Sequence, residues 1–152
     1  MRYFTAILLV LLGGIGVALA TPLQLASELL VERQAVNNVC AQIPDCTTEC
    51  LEPAHTGPTL DDCRVIQDTL RYIAQAGPTN TAGTGSNNTI VMSYRTCKSF
   101  FFNSGSIPAQ YCRTSWADFL EKMVPECHKQ KKAFGGRCTS PDQSWYIQFQ
   151  HS

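Results

Sequence analysis

Apolar side chains recur every three or four positions in two stretches of the chain, which is the spacing of amphipathic helices. The first stretch starts at Thr59, whose hydroxyl can cap a helix, and Asp62 follows three residues later, as in a capping box. Gly77 and Pro78 predict the end of this element. Its apolar stripe comprises Cys63, Ile66, Leu70 and Ile73. The pattern predicts one helix that turns Cys63 toward the core.

The second helical stretch is predicted to start near Pro108, because proline suits the first position of a helix. Its apolar stripe comprises Cys112, Trp116, Phe119, Leu120 and Met123, with Cys127 near the same face. Pro125 is expected to kink or shorten the last turn. Trp116 is therefore predicted to lie in the core and not on a ligand-binding surface.

Two other stretches have the residue pattern of β-strands. Residues 89–102 are rich in β-branched and aromatic side chains and are long enough for one bent strand or two. A change of phase in this stretch predicts a bulge between Tyr94 and Cys97. Near the C-terminus, Trp145, Ile147 and Phe149 alternate with Tyr146, Gln148 and Gln150. One of these two sets is expected to pack and the other to meet solvent.

The predicted elements follow one another as helix, strand, helix, strand. Residues 77–88, which separate the first helix from the first strand, are mostly small and polar and predict a mobile surface loop. The economical architecture is an α+β fold in which two helices pack on one face of a small, mainly antiparallel sheet. Disulfides are expected to staple this sandwich.

The first twenty residues have the three parts of a secretory signal peptide. Arg2 precedes an apolar run from Ala6 to Val17, and Ala18-Leu19-Ala20 has the small residues of a cleavage site. The apolar run is shorter than a membrane-spanning helix needs, so cleavage after Ala20 and secretion are expected. Residues 21–39 then form an N-terminal extension, either a pro-segment removed after Arg33 or a frayed terminal helix. Residues 40–152 are predicted to be a single disulfide-rich domain.

The charge balance excludes one broad class of partner. The chain has 12 basic and 12 acidic residues, and loss of residues 1–20 removes Arg2, which leaves 11 against 12 and a net charge of −1. Binding to nucleic acid as the main partner needs a strongly basic surface, which this composition does not supply. We expect a monomer without a cofactor, whose partner is extracellular, with cell-wall glycan and membrane surface as candidate contacts.

Eight cysteines follow the leader, and an exported chain meets an oxidising compartment that favours disulfides. They are Cys40, Cys46, Cys50, Cys63, Cys97, Cys112, Cys127 and Cys138. Three lie in the N-terminal segment and five in the rest, so one or three bridges must cross between these groups if all pair within the chain. The spacing leaves the connectivity open. The first three and His55 fit no common zinc signature, so no metal site is expected.

Three further features are candidates for surface roles. Asn87 opens an Asn-Asn-Thr sequon and is a candidate N-glycan site in a secreted chain. Cations cluster at the end of the second predicted helix, where a helix dipole favours them and where they could contact an anionic surface. Of this cluster, Lys129, Lys131 and Lys132 are the candidate contact residues. Tyr146 is the aromatic side chain expected to be exposed and available for contact.

Two alternative functions are open besides binding to an extracellular target. A small secreted hydrolase, such as a ribonuclease, could pair His55 with Glu126 and Arg137, but none of these residues lies in a catalytic motif, and no catalytic residues are assigned. A carbohydrate-binding protein is the other alternative. Residues 68–74 echo the Asp-Thr-Leu-x-x-Ile-Ala of chitin-binding lysin motifs, although here the preceding residues continue a helix.

Four short motifs follow one another across residues 60–150. They are Asp62-Cys63-x-x-Ile66, Arg95-Thr96-Cys97 before an aromatic run, Tyr111-Cys112 through Trp116, and Gly135-Gly136-Arg137-Cys138 before Trp145-Tyr146-Ile147. As an ordered set they resemble small secreted fungal proteins of the necrosis-inducing effector family. That family is related to the killer-toxin type of α/β sandwich. The resemblance implies an extracellular effector or toxin-like protein that binds a host or competing microbe, and it carries over no catalytic residues.

Overall fold

The computed structural model describes residues 35–52, 57–73, 77–131 and 133–152, without the side chains of residues 130 and 131. The chain divides into two units, Met1–Arg33 and Gln34–Ser152, and every described residue belongs to the second. The predicted leader, its cleavage site, His55 and Lys132 lie outside the described residues.

Eight strands and two α-helices are formed within the described residues. The strands are β1 (Asn37–Asn38), β2 (Thr47–Leu51), β3 (Thr79–Ala82), β4 (Thr89–Tyr94), β5 (Cys97–Asn103), β6 (Ala109–Cys112), β7 (Gly135–Thr139) and β8 (Trp145–His151). The α-helices are α1 (Leu60–Tyr72) and α2 (Arg113–Lys131). Two short 3₁₀ helices cover Cys40–Asp45 and Gly85–Asn87. The fold is α+β, as predicted.

The strands form two sheets. The larger has five strands in the order β2-β7-β8-β5-β4, with every neighbouring pair antiparallel. The smaller has the order β1-β6-β3, in which β1 runs parallel to β6 and β3 antiparallel to it. The pairing is therefore mainly antiparallel, but the sequence predicted one sheet where the fold has two.

The start of α1 is as predicted, although its cap has an unexpected partner. The Thr59 hydroxyl accepts a hydrogen bond from the Asp62 backbone N–H at 3.2 Å. The Asp62 carboxylate does not close the predicted capping box but accepts from the backbone N–H and hydroxyl of Thr96 at 3.2 and 2.6 Å. These bonds, the hydroxyl of Thr96 first, hold the pKa of Asp62 below its ordinary value. The helix start is thereby tied to the β4–β5 turn.

That turn replaces the predicted bulge. Tyr94 pairs directly with Cys97, so Arg95 and Thr96 form a two-residue connection between two separate strands. Arg95 has a φ of 47°, a conformation that a side chain with a Cβ disfavours. The bonds from Thr96 to Asp62 and the Cys63–Cys97 disulfide hold the two residues that directly follow Arg95.

The smaller sheet lies where the sequence predicted a loop and the start of a helix. Residues 79–82, expected to be in a mobile loop, form β3, and residues 109–112, expected to be helical, form β6. The two strands satisfy each other's backbone groups in the register Thr79↔Cys112 to Ala82↔Ala109. Long-range pairing thus overrides a composition that is weak in β-formers. The helix begins only at Arg113 and continues through Pro125 to Lys131.

The core contains the apolar stripes of both helices and the inner positions of β5 and β8. Trp116 and Trp145 are fully buried, as predicted, whereas Ile73 is 38% exposed and ends α1. Phe101 stacks on Tyr111 at a centroid distance of 4.7 Å and on Trp145 at 5.8 Å. At the exposed rim between the helices, Arg71 of α1 forms ion pairs with Asp118 and Glu121 of α2.

All eight cysteines form intramolecular disulfides. The pairs are Cys40–Cys112, Cys46–Cys138, Cys50–Cys127 and Cys63–Cys97. Three bridges therefore cross from the N-terminal segment to the rest, which is one of the two numbers that parity allowed. They attach that segment to β6, β7 and α2. Within the described residues, no helix has the length and apolar character needed to span a membrane.

Candidate functional site

The five-stranded sheet has two chemically different faces. Along β5, the odd positions from Cys97 to Asn103 are buried, while Lys98, Phe100 and Phe102 are half-buried on the opposite side. The register of the neighbouring strands extends this second side, which we call the outer face, from β2 to β4. Its central residues are Glu49, Lys98, Phe100, Phe102, Arg137, Tyr146, Gln148 and Gln150. The outer face is thus aromatic at one end and polar at the other.

Three rings at one end form what we call the aromatic cluster, comprising Phe100, Phe102 and Tyr146. The Tyr146 ring stacks on Phe102 with centroids 4.9 Å apart and meets Phe100 edge-on at 6.0 Å. Phe102 and Tyr146 are direct cross-strand partners in β5 and β8. All three side chains keep part of their surface exposed, so the cluster is a partly accessible apolar platform.

Beside the cluster lies the polar row, which comprises Glu49, Arg137, Gln148 and Gln150. The Nε–H of Arg137 donates to the Gln148 side-chain oxygen at 2.8 Å, and the Gln148 amide donates to the Gln150 side-chain oxygen at 2.6 Å. The Arg137 guanidinium also lies 3.9 Å from the Glu49 carboxylate. Gln148 is only 7% exposed, so its amide plane is held in place by its neighbours.

Arg137 joins the two halves of the outer face. Its guanidinium carbon lies 4.8 Å from the centroid of the Tyr146 ring, which is a cation–π contact. A single side chain therefore contacts the aromatic cluster, the Gln148 amide and the Glu49 carboxylate. These contacts hold hydrogen-bond donors, acceptors and an aromatic ring in fixed positions. Such preorganisation lowers the entropic cost that a surface pays on binding a ligand.

Gly136 allows close packing on the inner side of this part of the sheet. A Cβ on Gly136 would lie 2.5 Å from the Phe149 ring and 3.1 Å from Cys127 Sγ. The side of β7 toward Gly136 therefore faces α2, and Arg137 points the other way. The Gly-Gly-Arg-Cys motif noted in the sequence thus combines a close contact with the helix and a projecting cation.

Of the predicted lysine contact residues, the structure describes only the Lys129 side chain. Lys129 is exposed on the last turns of α2, and the side chains of Lys131 and Lys132 lie outside the described residues. Asn87 is exposed in a 3₁₀ helix, where its backbone oxygen accepts from the Gly83 N–H at 2.9 Å. Its side chain is accessible for glycan attachment.

The described residues do not assemble the catalytic site that the hydrolase alternative would need. Arg137 points away from α2, the helix that carries Glu126, and His55 lies outside the described residues. Over the described ranges, no three His, Cys, Asp or Glu side chains are grouped so that they could hold a metal ion.

The sequence indicated Tyr146 but missed its two aromatic neighbours. Phe100 and Phe102 have the opposite phase to the buried Phe101, and this alternation was the available signal. Gln148 and Gln150 were placed on a face with Tyr146, but their link to Arg137 depends on the pairing of β7 with β8.

No protein-family model matches the chain, and no curated protein is significantly similar to it.

Proposed function

We propose that this protein is a secreted effector or toxin-like factor that acts outside the producing cell by binding a host or competitor target through the outer face. Four disulfides link the described domain, and such density is typical of proteins that leave the cell. The signal-peptide pattern of residues 1–20 supports the same compartment. The resemblance to necrosis-inducing effectors, carried by ordered short motifs, supports the biological role.

The observation that carries the proposal is the ordered contact between Arg137 and both halves of the outer face. Aromatic rings and arginine are the residues most enriched at binding hot spots, because they combine a large contact area with directional polar groups. A surface with no recognition role has little need for a charged side chain held against a ring and an amide.

The arrangement of the helices supports this use of the sheet. Cys63 of α1 is bonded to Cys97, and the Trp116 Nε1–H of α2 donates to the Ser99 hydroxyl at 2.9 Å. Cys97 and Ser99 are two positions apart on β5 and so face the same way. We infer that both helices cover this one face of the five-stranded sheet, which leaves the outer face for a partner.

The test is to apply purified, oxidised protein to plant tissue and to cultures of competing microbes. We expect necrosis or growth inhibition, and we expect reduced and alkylated protein to lose it. A Tyr146→Ala variant should lose the effect, whereas Tyr72→Ala, which removes a tyrosine that is 77% exposed on α1, should retain it. Inactive oxidised protein, or a Tyr146→Ala variant as active as the unchanged protein, would contradict the proposal.

A further inference from the structure

We infer that the ligand of the outer face is a neutral glycan chain, an inference that rests on the proposed function and names its target chemistry. A sugar ring presents two kinds of surface, a patch of C–H groups on its faces and hydroxyls around its edge. The outer face has a matching partner for each, since the aromatic cluster lies directly beside the polar row.

The aromatic cluster fits the faces of sugar rings. Tyr146 lies across from Phe102 and near Phe100, so the accessible ring surface extends over two neighbouring strands. Partly exposed rings offer apolar surface to the C–H groups of a sugar, and they lose little side-chain entropy on binding because they are already packed. The half-buried state of the three rings also fixes their orientation.

The polar row fits hydroxyl groups, which both donate and accept hydrogen bonds. The side-chain oxygen of Gln148 accepts from Arg137, and its amide nitrogen donates to the side-chain oxygen of Gln150. The terminal amide of Gln150 and the terminal nitrogens of Arg137 remain as donors, and Glu49, with its side chain 58% exposed, remains as an acceptor. Vicinal hydroxyls can bridge such neighbouring donors and acceptors.

The charge of the outer face favours a neutral chain over a polyanion. Its strands carry Arg137 and Lys98 as cations and Glu49 as an anion, and Arg137 already lies near that anion. Single-stranded nucleic acid would also stack on aromatic rings, but it needs a groove with enough cations to neutralise its phosphates. One surplus positive charge does not provide this.

The experiment measures retention of the secreted, oxidised protein on insoluble chitin, β-1,3-glucan, cellulose and mannan. We expect retention on at least one of them, and we expect it to persist in about 0.5 M NaCl because the contact is not ionic. Tyr146→Ala should weaken retention about tenfold, and Gln150→Ala, which removes an end of the polar row, should also weaken it. Tyr72→Ala is the matched control and should bind as the unchanged protein does.

Circular dichroism and the melting temperature of each variant establish that it is folded. No retention on any of the four polysaccharides would overturn the inference, as would retention unchanged by Tyr146→Ala in a folded variant. Retention lost at high salt would show that the contact is ionic and would also overturn the inference. If biological activity depends on Tyr146 but no glycan retains the protein, the glycan inference is wrong and the proposed function stands. If a glycan retains the protein but tissue and microbes are unaffected, only the proposed function is contradicted.

Discussion

Replacing Ser99 with alanine tests how the core supports the outer face. The Ser99 hydroxyl accepts from Trp116 Nε1–H at 2.9 Å and donates to the Gln148 backbone oxygen at 2.9 Å, and both Ser99 and Trp116 are fully buried. The substitution removes one small polar group and leaves the indole N–H without this partner. An unsatisfied buried donor costs about 1–3 kcal/mol, so we expect Ser99→Ala to lower the free energy of unfolding by that amount.

Denaturant unfolding with the disulfides intact measures the loss, and the slope of the transition should stay constant because the surface exposed on unfolding is unchanged. Adding Trp116→Phe completes a double-mutant cycle. Phenylalanine has no N–H to leave unsatisfied, so the two changes together should cost less than the sum of the two single changes. A loss below about 0.5 kcal/mol for Ser99→Ala, or strict additivity in the cycle, would refute the view that this bond joins α2 to the sheet.

Three further predictions concern other parts of the molecule. A Cβ at Gly135 would lie 2.0 Å from the Phe149 backbone oxygen, so Gly135→Ala should lower the unfolding free energy by more than about 2 kcal/mol, whereas Gly77→Ala, with no heavy atom within 4 Å, should not. Bonds from Thr96 lower the folded pKa of Asp62, so the stabilising effect of this carboxylate is present above about pH 4 and is lost as the pH falls through the folded pKa. Asp62→Asn should therefore lower the free energy of unfolding, and the deficit measured by denaturant unfolding should shrink over that pH range. A deficit that does not depend on pH would contradict this. Mass spectrometry of the secreted protein should find an N-terminus at Thr21, or after Arg33 if the extension is removed, and an intact Met1 would exclude a cleaved leader.

Local rules were sufficient for α1 and β8. Thr59 as N-cap and the packed set Trp145, Ile147 and Phe149 both depend on residues close together in sequence, and the structure confirms both. The other set of β8 was expected to meet solvent, but Gln148 is buried by its contacts with neighbouring side chains. The local rules failed for the β4–β5 connection because Arg95 and Thr96 are not typical turn residues. Arg95 is held at positive φ by anchors from α1, which are distant in sequence.

The smaller sheet and the candidate site were harder to predict for the same reason. The segments that form β3 and β6 have little strand propensity, and their backbone bonds come from each other and from β1. The polar row depends on the register Arg137↔Gln148, which periodicity within one strand does not specify. The sequence could therefore indicate Tyr146 as a contact residue, but the neighbours that give it a chemical context follow only from the pairing of β5, β7 and β8.

The disulfides explain how so small a domain can keep a sheet face ordered. Cys46–Cys138 and Cys50–Cys127 hold the edge strand β2 to β7 and α2. Cys46 directly precedes β2 and Cys50 lies within it, so Glu49 lies between two bridged cysteines in the sequence. Each bridge constrains the unfolded chain and stabilises the fold by about 2–4 kcal/mol. These two also restrict fraying of the edge that supplies the acceptor of the polar row. Reduction should therefore disorder the Glu49 end of the outer face as well as lowering overall stability, and the proposed binding should then require the oxidised protein.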